Sequence, residues 1–191
     1  MDILVRNLWK SYGEKRIFAG FSCQIPQGSR CAVLAPSGSG KTTLLRLLLG
    51  LEAPDAGTIC GVPAEKSALF QENRLIPRLS ALDNIRMAAP EAGTAASEIL
   101  EQLGLDARTQ AQPAETLSGG QARRAALARA LARQGELLAL DEPFTGLDSD
   151  ARSLAAAAIL RCLHGRTLLL VTPHPEDIAL LDITHKISLP R

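Results

Sequence analysis

The stretch Gly38-Ser39-Gly40-Lys41-Thr42 narrows the folds open to this chain more than any other, because of what flanks it. Cys31-Ala32-Val33-Leu34 before it reads as a buried strand, and the largely apolar Thr42 to Leu49 after it reads as a helix stopped by Gly50. A strand that feeds a helix through a glycine-rich turn makes a phosphate cradle: consecutive backbone N–H groups, added to the positive end of the helix dipole, bind phosphate oxygens without a dedicated cationic pocket. Gly38 and Gly40 permit the turn. Lys41 is placed to reach the terminal phosphates of a nucleotide and the Thr42 hydroxyl to complete Mg²⁺ coordination, with Ser37, Ser39 and Thr43 counted in the same loop. Ala35 stands where such loops usually open on glycine, so a positive φ at that residue would carry strain.

Two further motifs follow in order. Leu137-Leu138-Ala139-Leu140-Asp141-Glu142 sets two carboxylates at the end of an apolar strand, where open α/β sheets place their ligands; one carboxylate suits a metal and the next suits the polarisation of an attacking water. Between this strand and the phosphate loop lies Leu117-Ser118-Gly119-Gly120-Gln121, ahead of a helix expected over Gln121 to Arg133. Its small residues at a helix N-terminus form a second place for an anion. One ATP does not need two cradles on one chain, and an isolated Ser-Gly-Gly would be read as an ordinary helix cap.

Taken together, these motifs resemble the ATP-binding-cassette ATPases, and the resemblance runs from about Leu4 to about Ile187. It implies an α/β fold: a P-loop NTPase (RecA-like) parallel-sheet core with an N-terminal antiparallel β flap and a helical arm. Residues 1–191 would form one domain, with the arm at about 72–133. The residue patterns agree. Short β-prone runs, Ile3 to Val5 and Phe18 to Ile25, alternate with turns at Tyr12-Gly13 and Pro26-Gln27-Gly28. Helices are expected over Ala81 to Ala88, Ala95 to Leu103 and Ala151 to Leu163, strands over Leu137 to Leu140 and Thr167 to Val171, and breaks at Pro77, Pro90 and Pro113.

The resemblance also implies roles. Asp141 would take the metal role and Glu142 the general-base role, while Gln71, after the strand-like Ser67 to Phe70, would contact Mg²⁺ or the attacking water. In this family two cassettes pack head to tail, so Ser118, Gly119, Gly120 and Gln121 of one would meet the γ-phosphate held by Lys41 of the other. Asp148, in Gly146-Leu147-Asp148, matches a dimer-contact loop. Tyr12 stands where the family stacks an aromatic ring on adenine, with Trp9 as its competitor. The family usually ends the next strand with a histidine sensor; here the text is Val171-Thr172-Pro173-His174, so Pro173 holds the ungapped position and His174 substitutes only by a one-residue shift. The implied cofactors are ATP and Mg²⁺. The implied partners are a transmembrane permease subunit, a second cassette, identical or not, and for an importer a substrate-binding protein. Phe70 to Pro77 and Leu82-Asp83-Asn84-Ile85 most resemble ATPase subunits of bacterial importers of the nitrate, sulfonate and taurine type, and the stretch Arg74 to Met87 is where a permease helix would dock.

Charge and composition restrict the alternatives. The 21 basic and 20 acidic residues nearly cancel, which gives no whole-chain reason to expect nucleic acid. Arg123, Arg124, Arg129 and Arg133 interrupt an Ala/Leu helix in the manner of a solvated face. Cys23, Cys31, Cys60 and Cys162 lack metal-type spacing and read as buried thiols in a reducing compartment. No apolar run reaches the length needed to span a bilayer, so the expected location is cytoplasmic, peripheral on the inner face of the membrane through a permease. Two rivals remain: a soluble cassette working in DNA repair or at ribosomes, whose relatives usually carry a coiled-coil insertion or two cassettes, and a P-loop small-molecule kinase, which has no use for Ser118-Gly119-Gly120.

Overall fold

The structure is a computed structural model that describes residues 1–189. Its centre is a parallel sheet of five strands in the order β5-β6-β7-β3-β8: β3 (Arg30–Leu34), β5 (Lys66–Leu69), β6 (Leu137–Asp141), β7 (Thr167–Thr172) and β8 (His185–Ile187). Both faces of this sheet are covered. Along β6 and β7, Leu138, Leu140, Leu168 and Leu170 pack into one apolar cluster while Leu137, Ala139, Leu169 and Val171 pack into another. That is why these strands read as unbroken apolar runs rather than as an alternation.

The first cluster lies beneath α2 (Ala81–Ala88), α3 (Ala95–Gln102), α5 (Gly119–Ala132) and α6 (Ser149–Cys162), with the short α4 (Ala107–Gln110) at its edge. The second is closed by α1 (Lys41–Leu48) and by an antiparallel sheet, β2-β1-β4. In it β1 (Ile3–Tyr12) pairs with β2 (Lys15–Ile25) on one side and with β4 (Ala56–Cys60) on the other. The flap therefore has a third strand, β4, beyond the β-prone runs Ile3 to Val5 and Phe18 to Ile25. Gly57 admits the contact: a Cβ there would lie 2.2 Å from the Asn7 carbonyl oxygen. A short helix, α7 (Glu176–Leu180), and β8 complete the core beyond the elements the residue patterns disclosed.

Helix ends follow local chemistry. Ser80, Asp106, Ser118 and Asp148 each accept a hydrogen bond from the third backbone N–H of the helix they open. At α5 the Gln121 side chain returns the bond to the Ser118 N–H at 2.9 Å, a full capping box. Two sequence expectations need correction. The four arginines of α5 are not a solvated face: Arg123 is buried, Arg124 and Arg129 are half-buried, and only Arg133 is exposed. Their guanidinium groups donate to backbone carbonyls, Arg124 to Leu103 and Gly104, Arg129 to Asn73 and Arg74, and Arg133 to Ala88. An arginine that docks on loop carbonyls leaves the same trace in sequence as one that faces water. The cysteines are not all buried either: Cys31 is, Cys23 and Cys162 are half-buried, and Cys60 is exposed on β4, which covers the flap edge with few apolar groups.

Candidate nucleotide site

The carboxyl ends of β3 and β6 lie on the same side of the parallel sheet and open into a cavity of about 310 Å³. Tyr12, Lys15, Ile17, Ser37, Gly38, Gly40, Lys41, Thr42, Thr43, Gln71 and Glu142 line it, drawn from the flap, the glycine loop, α1, the chain after β5 and the end of β6. The glycines are needed where they are. Gly38 and Gly40 take φ of 79° and 93°, and a Cβ on Gly40 would sit 2.5 Å from the Ile17 side chain. Positive φ outside glycine, among the described residues, occurs at Asn7, Arg74, Glu142, His164 and Asp182. Ala35 is absent from that set, so replacing the usual glycine costs the loop no left-handed strain.

Lys41 is 4% exposed, and its Nζ donates to the Ala35 and Pro36 carbonyls at 2.7 Å each. Burial pulls its pKa down, opposed by the charges of Glu142 and Asp141. Asp141 is 1% exposed, and burial pushes its carboxyl above the ordinary range, opposed first by the bond from Thr42. Thr42 Oγ1 donates to Asp141 Oδ2 at 2.8 Å. This bond joins the helix that follows the glycine loop to the strand that ends in carboxylates. Glu142 departs from the strand at φ 49°, with its N–H donating to the Val171 carbonyl at 2.8 Å and its carboxylate accepting from Thr145 Oγ1 at 3.3 Å. The turn swings its side chain into the cavity lining while Asp141 stays beneath. Ser39 Oγ is buried without a hydrogen-bond partner, an orphaned hydroxyl in the loop that phosphate would approach.

Tyr12 projects from the flap at 44% exposure, its hydroxyl bonded to Glu52 just past α1. Trp9, its competitor, stacks instead under Arg16 and bonds Asn7, outside the lining. Gln71 is exposed at the cavity mouth. The remaining candidates lie elsewhere. Ser118, Gly119 and Asp148 are exposed, Gly120 and Gln121 are half-buried, and all five are absent from the lining. Gly120 packs toward the loop before Asp148: a Cβ on it would approach the Gly146 carbonyl at 3.4 Å. His174 is exposed, its ring 3.7 Å from Glu176, and the turn that carries it is tied down by the bond from its N–H to the buried Thr172 hydroxyl at 3.0 Å, with Thr172 in turn bonded to Asp177 and Asp177 to Arg152. The geometry thus brings one group of candidates together and leaves another on the open surface. Sequence reasoning missed Lys15 and Ile17 in the lining and Arg123 behind it; alternation along β2 marks Ile17 as an inward residue, but nothing in the sequence marks Arg123.

Comparison with known proteins agrees with this layout. A family model described as ABC transporter matches residues 18–145. The aliphatic sulfonates import ATP-binding protein SsuB 1 of Nocardia farcinica (strain IFM 10152) is 44% identical over 199 residues, covering 99% of this chain and 78% of that protein. SsuB 3 of Rhodococcus jostii (strain RHA1) is 44% identical, covering 89% of this chain and 64% of that protein, and SsuB 1 of Paracoccus denitrificans (strain Pd 1222) is 41% identical, covering 94% and 75%. Among solved structures, the dimeric structure of MJ0796, a bacterial ABC transporter cassette, superposes with a TM-score of 0.85 at 27% identity, over 98% of this chain and 94% of that one. A post-hydrolysis state of the same cassette bound to ADP and Pi gives 0.84. The chain belongs to the ABC transporter family, as an ATP-binding, ATP-hydrolysing cassette with the P-loop core that family shares.

Proposed function

We propose that this cassette powers import of a small organic anion of the aliphatic sulfonate class, docked beneath a transmembrane permease and paired with a second cassette. A substrate-binding protein would deliver the cargo. The supporting observation is the separation described above: Lys41, Thr42, Gln71 and Glu142 share one cavity, while Ser118 and Gly119 stand exposed. The importer class and the cargo come from the names of the relatives. Residues 1–191 would act as one domain, the arm at about 72–133 carrying the docking surface. No helix among the described residues is long and apolar enough to cross a membrane, which suits a subunit that works through a permease.

In this reading the loop from Ser37 to Thr43 and Lys41 hold the triphosphate, and Tyr12 stacks on the adenine. Thr42, Gln71 and Asp141 would hold Mg²⁺, which would supply neutralisation of the charge that develops on the phosphates. Their fit is chemical: three oxygen donors, one of them an already buried carboxylate joined to the Thr42 hydroxyl. Glu142 accepts a proton from the attacking water, and Gln71 orients that water for in-line displacement. Ser118 of the second cassette, through its hydroxyl, and Gly120, through its backbone N–H at the helix N-terminus, close the site. Catalysis is positioning and charge stabilisation with no covalent intermediate.

Glu142→Gln tests the assignment. It should cut hydrolysis by about 10²-fold or more and leave ATP binding intact, so that an ATP-bound dimer accumulates on size-exclusion chromatography. A Glu142→Gln protein that stays monomeric with ATP, or that keeps turning over, would refute it.

A further inference from the structure

We infer that Arg123 is a positioning residue for hydrolysis: its guanidinium clamps the loop that carries Gln71 to the strand end that carries Asp141 and Glu142, and joins both to the helix opened by Ser118. Nη1 donates to the Phe70 carbonyl at 2.6 Å, the Gln71 carbonyl at 3.2 Å and Asn73 Oδ1 at 3.1 Å. Nη2 donates to the Asp141 and Glu142 carbonyls at 2.6 and 2.7 Å. All five acceptors are uncharged, and they belong to two segments far apart in sequence. The group is 4% exposed, and burial pulls its pKa down while the charges of Asp141 and Glu142 hold it up. Burying a cation costs several kcal/mol, and the charge-assisted bonds from both Nη groups offset part of it, while Nε is buried without a partner.

The fork leaves little freedom. Fixing the carbonyls of residues 141 and 142 fixes the left-handed turn at Glu142, hence the direction of its carboxylate. Fixing the Gln71 carbonyl sets where that side chain starts. Arg129, farther along α5, donates to Asn73 and Arg74 alone, so it anchors the arm without reaching the strand end. Arg123 also sits close behind Ser118 on the same helix. Movement of α5 when Ser118 and Gly120 engage the second cassette's triphosphate is therefore passed to this chain's own Gln71 and Glu142 through one rigid side chain. The two half-sites of a dimer are mechanically linked at this point.

The test is Arg123→Lys, which keeps the charge but replaces a planar five-donor fork by a single ammonium that does not span both segments. We expect kcat to fall tenfold or more and KM for ATP to stay within threefold, because the phosphate loop is untouched, while the melting temperature drops as a buried ammonium makes fewer bonds. In Arg123→Ala, free guanidinium at low millimolar concentration should restore part of kcat. Arg123→Lys with kcat within twofold of native overturns the clamp, and so does a loss of kcat matched by an equal rise in KM. If Arg123→Lys does not fold, Asn73→Ala removes one acceptor from the loop and should lower kcat by about fivefold at constant KM, the equivalent of one bond of ~1 kcal/mol; no change overturns the clamp. The inference rests on the roles given to Gln71 and Glu142. Retained turnover in Glu142→Gln sinks those roles and the clamp with them, while a dead Glu142→Gln beside a fully active Arg123→Lys sinks the clamp alone.

Discussion

Two helix N-termini in this chain are built from the same small residues, yet only one faces a cavity of its own chain. At α1 the turn Gly38-Ser39-Gly40 presses against Ile17 of the flap, and Lys41, Thr42, Gln71 and Glu142 converge beside it. At α5 Ser118 is occupied with its capping box, and Gly119 has nothing within 4 Å of the place a Cβ would take. Helix dipoles are alike at both ends. The difference lies in what surrounds them: titratable groups and a lysine around the first, open surface around the second. A dipole with no metal ligands and no walls does not hold a triphosphate alone, which is the reason for proposing the second turn as the lid of another chain's site.

The comparison breaks most sharply in a mixing experiment. Lys41→Ala disables the first turn and Ser118→Arg blocks the second, so each homodimer should be inactive. In a mixed dimer one composite site carries both defects and the other carries neither. Equal mixing should recover about a quarter of native turnover if the two sites act independently. No recovery, with mixed dimers present, would mean either that the pocket is complete within one chain or that the linked sites must both be intact; ATP-driven dimerisation of the mixed pair separates the two. Tyr12→Ala sharpens the cavity side: loss of stacking worth about 1–3 kcal/mol should raise KM for ATP by roughly 5- to 150-fold and leave kcat nearly unchanged. An unchanged KM would remove Tyr12 from the site. The smallest expected effect is at His174, which stands outside both turns beside Glu176. His174→Ala should keep turnover within about twofold, whereas a tenfold loss, worth about 1.4 kcal/mol, would make it the phosphate sensor despite Pro173.

Much of this was legible in the chain itself. The bounds of α2, Ala81–Ala88, can be read from Ser80, a good cap, and from Pro90 after its end. β6 and β7 announce themselves as apolar runs because both faces are buried. β4 does not, since Ala56-Gly57-Thr58-Ile59-Cys60 has almost no alternation, and its pairing with β1 depends on contacts that local pattern does not encode. The short edge strand His185–Ile187 is hidden for the same reason. In the site, glycines and paired carboxylates were readable because their chemistry requires those residue types. Arg123 was not, because its partners are main-chain carbonyls, which every residue carries. Even the Ala35 departure, a source of expected strain, was resolved only by its backbone angle.

The left-handed turn at Glu142 has a consequence for how this protein tolerates change. An L-residue with a Cβ is held there at a cost on the order of 1 kcal/mol relative to glycine, with its amide committed to Val171 and its carbonyl to Arg123. The conformation most comfortable for the chain and the conformation that turns the Glu142 carboxylate into the cavity are thus different, and residue 142 is kept in the second by its neighbours rather than by its own preference. Variation in those neighbours, far from any nucleotide, would be felt first as a misdirected carboxylate and only later as a less stable fold.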